Sequence, residues 1–169
     1  MDEKSQIKER LRSSVAISAE TLEALDFLLP LSADYPGIEA WFLRKVVPGL
    51  QDGTRYLLRV ERDGRLVGLG IAKADGIERK ICTVRVSPDY AGRGIGVRVF
   101  DGLLKWLGTD QPHLTVSENK LPAFERIFDW YGFRYSSRKS GLYVPSKAEI
   151  LYNDPPSSSL IRPNHSLII

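Results

Sequence analysis

The sequence predicts an α/β (α+β) fold in which a mixed central sheet of about six to seven strands is interleaved with helices. Three observations carry this. Residues 56–62 and 65–72 are strand-like runs on either side of Asp63-Gly64, a pair that favours the positive φ angles of a type I′ hairpin turn. A third strand pattern, residues 80–86, runs into Gly92, Gly94 and Gly96 and then into a helix with Ile95, Val99, Phe100, Leu103, Leu104 and Leu107 on one side. A short strand over residues 113–116 follows, so strand, crossover helix and strand imply a parallel pair beside the antiparallel hairpin.

At 169 residues the chain fits one domain with room for a substantial core. Its apolar and charged fractions, 43% and 27%, are those of a soluble globular protein. The net charge of +3 suits anionic ligands such as nucleotides but is too small to argue for nucleic acid by itself. Cys82 is the single cysteine, which excludes an intramolecular disulfide scaffold and a cysteine zinc site. The opening Met1-Asp2-Glu3-Lys4-Ser5 is charged and does not read as a signal peptide. No apolar run approaches the roughly 20 residues of a membrane span, so a soluble, cytoplasmic protein without a membrane partner is expected.

Taken in order, residues 11–17, with Val15 and Ile17 alternating, read as a first strand. Ser18 is an N-cap for a helix over 19–29, with Leu22, Leu25, Phe27, Leu28 and Leu29 as its apolar face, and Pro30 is expected to stop it. Residues 30–37 form a loop. A second helix carries Ile38, Trp41, Phe42 and Val46 at helical spacing and is expected to end at Pro48-Gly49, making Trp41 a core residue. Asp75-Gly76 marks the turn into strand 80–86, Pro88 ends that strand, and Gly108 closes the helix after the glycines. A last helix over about 119–131 tolerates Pro122 in its first turn and faces Leu121, Phe124, Ile127, Phe128 and Tyr131 inward. Gly132-Phe133 closes it. Strands near 134–137 and 149–152 complete the set, with Arg138, Lys139 and Ser140 in the polar loop between them. Beyond Asp154 a Pro-Pro-Ser-Ser-Ser run predicts a flexible tail over 154–169; residues 1–10 are an extension and 11–153 the domain.

The glycines are the chemical centre of the chain. At 92, 94 and 96 they remove the Cβ at alternate positions of one short segment, so backbone N–H groups there can close on a ligand. The helix they open points its orphan N–H groups and the positive end of its dipole at the same place, and phosphate suits that device best.

The elements read β-α-α-β-β-β-α-β-α-β-β. With the Asp63-Gly64 hairpin, Val86-x-Pro88 ahead of Gly92-x-Gly94-x-Gly96, and Tyr131-Gly132-Phe133 closing the next helix, the chain resembles the GNAT superfamily of N-acetyltransferases over residues 11–153. The resemblance implies helices on both faces of the sheet, acetyl-CoA or another acyl-CoA as donor, an amine acceptor and no metal. It implies that backbone N–H groups of Gly92, Arg93, Gly94, Ile95, Gly96 and Val97, with Ala91 at the start of the loop, hold the CoA pyrophosphate. It further implies that Val84, Arg85 and Val86 pair through their main chain with the pantetheine arm, which slots between them and the splayed strand 113–116. Arg93 and Arg98 either add charge near the phosphates or are exposed, solvated arginines.

Three positions depart from the family pattern. Ala91 stands where an Arg or Gln usually opens the pyrophosphate loop, which leaves the cradle to backbone amides. Leu121 stands at the family's helix Asn, for which Asn119 substitutes if the helix start is shifted. Phe128, beside the donor, stands where many relatives carry the tyrosine that protonates the leaving thiolate, and phenylalanine has no proton to give. Tyr131 is then the candidate acid, with Tyr135 and Ser117 as further options. General-acid help is typically about 10²–10⁴-fold, so water or another hydroxyl can also serve.

Glu78, ahead of the pantetheine strand, falls near where relatives place the base that deprotonates the amine. Lys80 is the position counted to most directly, so Glu78 needs a register shift or bulge, and a solvated turn glutamate is its alternative reading. His113 is a second titratable group at a strand start, while Cys82 reads as a buried strand residue. The reaction implied is direct attack in a ternary complex, with a strand N–H near Val86 polarising the acetyl carbonyl. Acceptor selection falls to loop 30–37, with Asp34 and Tyr35, and to loop 137–147, with Arg138 and Lys139. If those basic residues line the site, an acidic or nucleic-acid-linked acceptor, such as aminoacyl-tRNA, is favoured over a polyamine. A non-catalytic acyl-CoA-binding module is the other reading, and a homodimer is left open.

Overall fold

A computed structural model describes residues 17–154 of the chain. The first strand expected over 11–17, the extension 1–10 and the tail 154–169 lie outside the described residues, apart from Ile17 and Asp154.

Ser18 caps α1 (Ala19–Leu28), its Oγ accepting the Thr21 N–H at 3.1 Å. Pro30 does not lead straight into a loop. It falls in the first turn of a 3₁₀ segment (Leu29–Ala33), where a missing N–H is harmless. The second helix also outruns its expected stop. α2 (Ile38–Trp41) continues through a π-helical turn (Phe42–Val46) into α3 (Val47–Asp52), past Pro48-Gly49. The Val47 N–H reaches back to the Phe42 carbonyl, so Pro48 enters at the start of a new turn that needs no N–H from it. Gly53, at φ 81°, ends the run. Trp41 is buried there as expected, with the Arg55 guanidinium over its ring.

β1 (Arg55–Arg62) and β2 (Arg65–Ala74) form the hairpin, and Asp63 and Gly64 have the positive φ values (51° and 73°) that a type I′ turn requires. β3 (Arg79–Val86) adds to β2 antiparallel, with Cys82 as the extra residue of a bulge, since Ile71 pairs with Thr83 and Ala72 with Ile81. After a 3₁₀ turn (Pro88–Tyr90) come α4 (Ile95–Leu107), β4 (Leu114–Ser117), α5 (Leu121–Tyr131), β5 (Tyr135–Ser140) and β6 (Ala148–Tyr152). β5 runs through Arg138, Lys139 and Ser140, which the sequence placed in a loop; β6 pairs with all three and draws them into the sheet. α5 begins at Leu121 rather than near Asn119, which lies in the preceding turn.

The strands make two three-stranded antiparallel sheets, β1-β2-β3 and β4-β6-β5. They are joined at one place. The Ile81 N–H donates to the His113 carbonyl and the His113 N–H to the Arg79 carbonyl, both at 3.0 Å, making the parallel bridge between Lys80 and His113. The predicted parallel pair is thus a single bridge at the start of both strands, beyond which β3 and β4 diverge.

Helices cover both faces. α4 and α5 pack on Ile81, Val84, Leu114 and Val116, while α1, α2 and the π turn pack on Leu69, Ile71 and Cys82. Glycine in β2 lets α4 sit flush: a Cβ at Gly70 would lie 2.5 Å from Val99 Cγ1, and one at Gly68 2.5 Å from Ile95 Cγ2. That close approach fixes where the N-terminus of α4 lands, beside the end of β3. Among the described residues no helix is long and apolar enough to cross a membrane.

Candidate active site between the diverging strands

Past Ile81, the β3 edge facing β4 has no strand partner among the described residues, so its main-chain groups are open to an extended ligand. Val84 turns into the core, and Arg85 and Val86 are half-buried. The Arg85 guanidinium lies 4.4 Å over the Phe27 ring of α1, and burial lowers its pKa.

The chain then enters the glycine turn. Gly92 and Gly94 have φ of 74° and 77°, and a Cβ at either would meet none of the described residues within 4 Å. Gly94 is the N-cap of α4, and among the described residues no side chain caps that helix. Its first-turn N–H groups therefore face an open space at the positive end of a 13-residue helix. Ala91, Arg93 and Arg98 are exposed around it, with the Arg93 guanidinium 5.1 Å over the Tyr90 ring. Ile95 and Val97 begin the helix, Ile95 buried against the core, while Gly96 faces Ile127 of α5. Arg85, Arg93 and Arg98 outnumber Asp89, the one acid between residues 85 and 98. These residues fit a pyrophosphate: main-chain donors, a helix dipole, flanking cations and no side chain in the way.

The other expected site residues are placed differently. Phe128 is 1% exposed inside an aromatic cluster with Phe100, Phe124, Phe133 and Tyr152. Asn119 is exposed in the turn before α5. Tyr131 donates its hydroxyl to Asp101, with the Val97 carbonyl at 3.2 Å, so it ties α5 to α4. Burial, with Asp101 adding to it, pushes the phenol above its ordinary pKa. Glu78 sits at the closed end of the crevice, where the Lys73 ammonium donates to its Oε1 at 2.7 Å. His113 Nδ1 is 4.0 Å from Glu78 Oε2, and its Nε2 is 2.8 Å from Asp154 Oδ1. Burial lowers the histidine's pKa, with Lys80 adding to the effect. Burial likewise lowers that of Lys80, and raises that of the Cys82 thiol despite the nearby Arg55, which donates to Sγ at 3.1 Å.

The structure also brings Glu149, which sequence reasoning missed, together with Ser117, Asp34 and Tyr35, which it had named. Glu149 is 3% exposed although its carboxylate is ionisable. It pairs with Ser117 across the β4–β6 ladder, and both face away from the α4–α5 core, on the side carrying Thr83 and Thr115. The Tyr35 hydroxyl donates to Glu149 Oε1 at 3.2 Å. Thr83 Oγ1, Ser117 Oγ and Glu149 Oε2 are buried with no hydrogen-bond partner among the described residues. Burial pushes the Glu149 pKa up to about 7, against the lowering pull of the Tyr35 and Thr115 hydroxyls; Asp34 raises it further and Lys120 lowers it. Tyr35 itself packs edge-on against Tyr143 at 5.3 Å. Asp34 is clasped by Lys120 at 2.9 Å and by Lys147, and these two hydrogen-bonded cations outweigh burial and hold its pKa below the ordinary carboxylate value. One signal was available in the sequence: Glu149 is the lone acid in the otherwise apolar run Ala148-Glu149-Ile150-Leu151-Tyr152.

Comparison with known proteins bears on the fold and the family. Residues 19–149 match the model of the acetyltransferase (GNAT) family. A mycothiol acetyltransferase from Clavibacter sepedonicus is 34% identical over 88 residues, which are 50% of this chain but 26% of that protein's length. Among solved structures, a GNAT-family structure from Desulfovibrio desulfuricans aligns with a TM-score of 0.63 at 13% identity, covering 80% of this chain and 92% of the other. An aminoglycoside 6'-N-acetyltransferase complexed with coenzyme A gives 0.55 at 15% identity, covering 84% and 95%. The ribosomal-protein-S18-alanine N-acetyltransferase from Escherichia coli gives 0.52 at 17%, covering 70% and 81%. Such identities speak for the fold, and with the family match over 19–149 they identify the chain as a member of the GNAT acetyltransferase family.

Proposed function

We propose that this protein is an N-acetyltransferase that moves an acetyl group from acetyl-CoA to a primary amine by direct attack in a ternary complex. The observation that carries this reading is the divergence of β3 from β4 beyond one parallel bridge, with an uncapped, glycine-bearing helix N-terminus at the open end. When bound, acetyl-CoA supplies a thioester whose carbonyl accepts a nucleophile and whose thiolate is a good leaving group. Gly92 to Val97 hold the pyrophosphate through backbone N–H groups, and Arg93 and Arg98 offset its charge. Val84 to Val86 grip the pantetheine arm through the open edge of β3, and an N–H on that edge polarises the acyl carbonyl.

Both side chains singled out for proton transfer are engaged elsewhere, Glu78 by Lys73 and Tyr131 by Asp101. We assign Tyr131 to holding α5 against α4, and Glu78 to the closed end of the crevice. With Phe128 in the core, the thiolate takes its proton through water. Free thiol release from acetyl-CoA, measured against amino acids, peptides, polyamines, aminoglycosides and tRNA, tests the reading. Turnover with at least one amine is expected, and CoA binding with no release would support the second reading, a non-catalytic acyl-CoA-binding module, for which the absent phenol at Phe128 speaks.

A nucleic-acid-linked acceptor is less well supported. Arg138 is held by both oxygens of Glu118, at 2.9 and 3.0 Å, and Lys120 and Lys147 are turned onto Asp34, so these basic side chains are engaged within the protein. A cytoplasmic setting suits the supply of acetyl-CoA and the single, buried cysteine.

A further inference from the structure

We infer that Glu149, with Ser117 beside it and Tyr35 closing over it, is the seat for the acceptor's primary ammonium and the group that takes its proton. This rests on the acetyltransferase reading and names the acceptor side of that same site.

Ser117 and Glu149 are cross-strand partners on one face, which brings their Cβ atoms to about 4.5–5.5 Å. Thr115 is the next residue of β4 on that face, and Thr83 of β3 points to the same side across the crevice, since its partner Ile71 packs on the α1–α2 side. A buried carboxylate oxygen and two buried hydroxyls without partners among the described residues are costly to leave so. A primary ammonium carries three N–H donors, and Glu149 Oε2 and Ser117 Oγ, on cross-strand partners, are two such acceptors.

The surrounding charges narrow the acceptor. From the α1–α2 loop come Asp34 and Tyr35, from the start of α5 Lys120, from the β5–β6 loop Tyr143 and Lys147, and from β5 Lys139, the cross-strand partner of Glu149. Asp34 is taken by the two lysines, which leaves Glu149 to the ammonium. A polyamine would set its second cation against Lys120, Lys139 and Lys147. The acceptor class is therefore a primary amine with one cationic centre near the reacting nitrogen.

The step balances as follows. Glu149 takes one proton from the bound ammonium, and the nitrogen lone pair forms the N–C bond. The C–S bond breaks and the sulfur leaves with its electron pair. A second N–H proton reaches the thiolate through water, and Glu149 returns its proton to solvent. Net, an ammonium and a thioester become an amide, a thiol and one released proton.

The experiment follows kcat/KM against pH for wild type, Glu149→Gln, Glu78→Gln and Tyr35→Phe, using the primary amine that wild type turns over best and its N-methyl derivative. We expect Glu149→Gln to lose about 10²–10⁴-fold while its CoA affinity stays unchanged. The acid limb near pH 7 should vanish in that variant, persist in Glu78→Gln and move to higher pH in Tyr35→Phe, where a lowering hydrogen bond is gone. The N-methyl amine should fall about tenfold for one lost hydrogen bond. A limb unchanged in Glu149→Gln, or abolished by Glu78→Gln instead, overturns the inference. A second measurement does not depend on turnover: the ¹³C carboxyl resonance of Glu149 in CoA-loaded protein should titrate near 7 and shift with ethylammonium but not tetramethylammonium. A resonance unmoved by ethylammonium overturns the seat. If wild type binds no CoA by calorimetry, the acetyltransferase reading itself fails; CoA binding with an indifferent Glu149→Gln overturns the inference alone.

Discussion

The Tyr35 hydroxyl donates to Glu149 Oε1 at 3.2 Å across 114 positions of sequence, joining the loop after α1 to the last strand of the second sheet. Through that bond the segment expected to choose the acceptor is attached to the one ionisable acid on the orphan-hydroxyl face of β4 and β6. Position and chemistry are thereby coupled: a movement of the loop changes both access to Glu149 and its affinity for a proton.

Glu149 should weaken the fold at high pH. Its folded pKa of about 7 lies above the ordinary 4.5, so the folded chain binds the proton more tightly than the unfolded one. Stability contributed by the protonated acid is complete below about pH 4.5, declines as pH rises through 7, and levels off above it. The shift corresponds to a cost on the order of 3 kcal/mol. Glu149→Gln removes the ionisation but keeps an oxygen for Tyr35. Thermal unfolding at about pH 8 should show the variant melting above wild type, with the difference closing toward pH 4.

Asp34 has the opposite sign. Lys147 and Lys120 hold its carboxyl below the usual range, so its contribution is present above that value and is lost as pH falls through the depressed pKa. Asp34→Ala frees two lysines beside Glu149 and unclasps the loop. Partly exposed pairs of this kind contribute about 0.2–1 kcal/mol each, so unfolding should show a loss of about 0.5–2 kcal/mol. The KM for the amine should rise several-fold while CoA affinity, read by calorimetry, stays put.

Tyr131→Phe separates a structural phenol from a catalytic one. With its hydroxyl on Asp101 and the Val97 carbonyl, its loss should cost about 0.5–1.5 kcal/mol of stability and leave kcat within about twofold. A fall of about 10²-fold or more in kcat, with stability unchanged, would make Tyr131 the general acid after all.

Gly94→Glu challenges the donor seat. Gly94 has φ 77° and open space above it, so a side chain there is both strained and projected into the cradle, and a carboxylate would repel phosphate. Calorimetry should find no CoA binding in a variant whose circular dichroism is that of wild type. Normal binding would remove the cradle from this segment.

Much of the fold was legible because its punctuation is local. Asp63-Gly64, Gly94 and Gly108 each sit where a positive φ is needed, and the Ile95–Leu107 stripe has one clear period. The continuation past Pro48-Gly49 was not legible, because a π turn that shifts the hydrogen-bond ladder leaves no mark in residue types. Arg138 to Ser140 read as loop because their polarity was visible and their partner β6 was not. The donor side of the site follows from one contiguous stretch, residues 84–97. The acceptor side does not. Glu149, Ser117 and Tyr35 lie in three separate segments, and only the ladder register and the loop clasp bring them together. Phe128 and Tyr131 were judged from family spacing, while what each touches depends on how α5 packs on α4.

Amide hydrogen exchange with and without CoA tests the central claim most directly, because both halves of the donor seat are made of backbone. CoA should slow exchange at the open-edge amides of residues 84–86 and at the first-turn amides of residues 92–97, leaving β5 and β6 unchanged. CoA bound with no added protection across residues 84–97, or with protection elsewhere, would contradict a donor seat between β3 and β4.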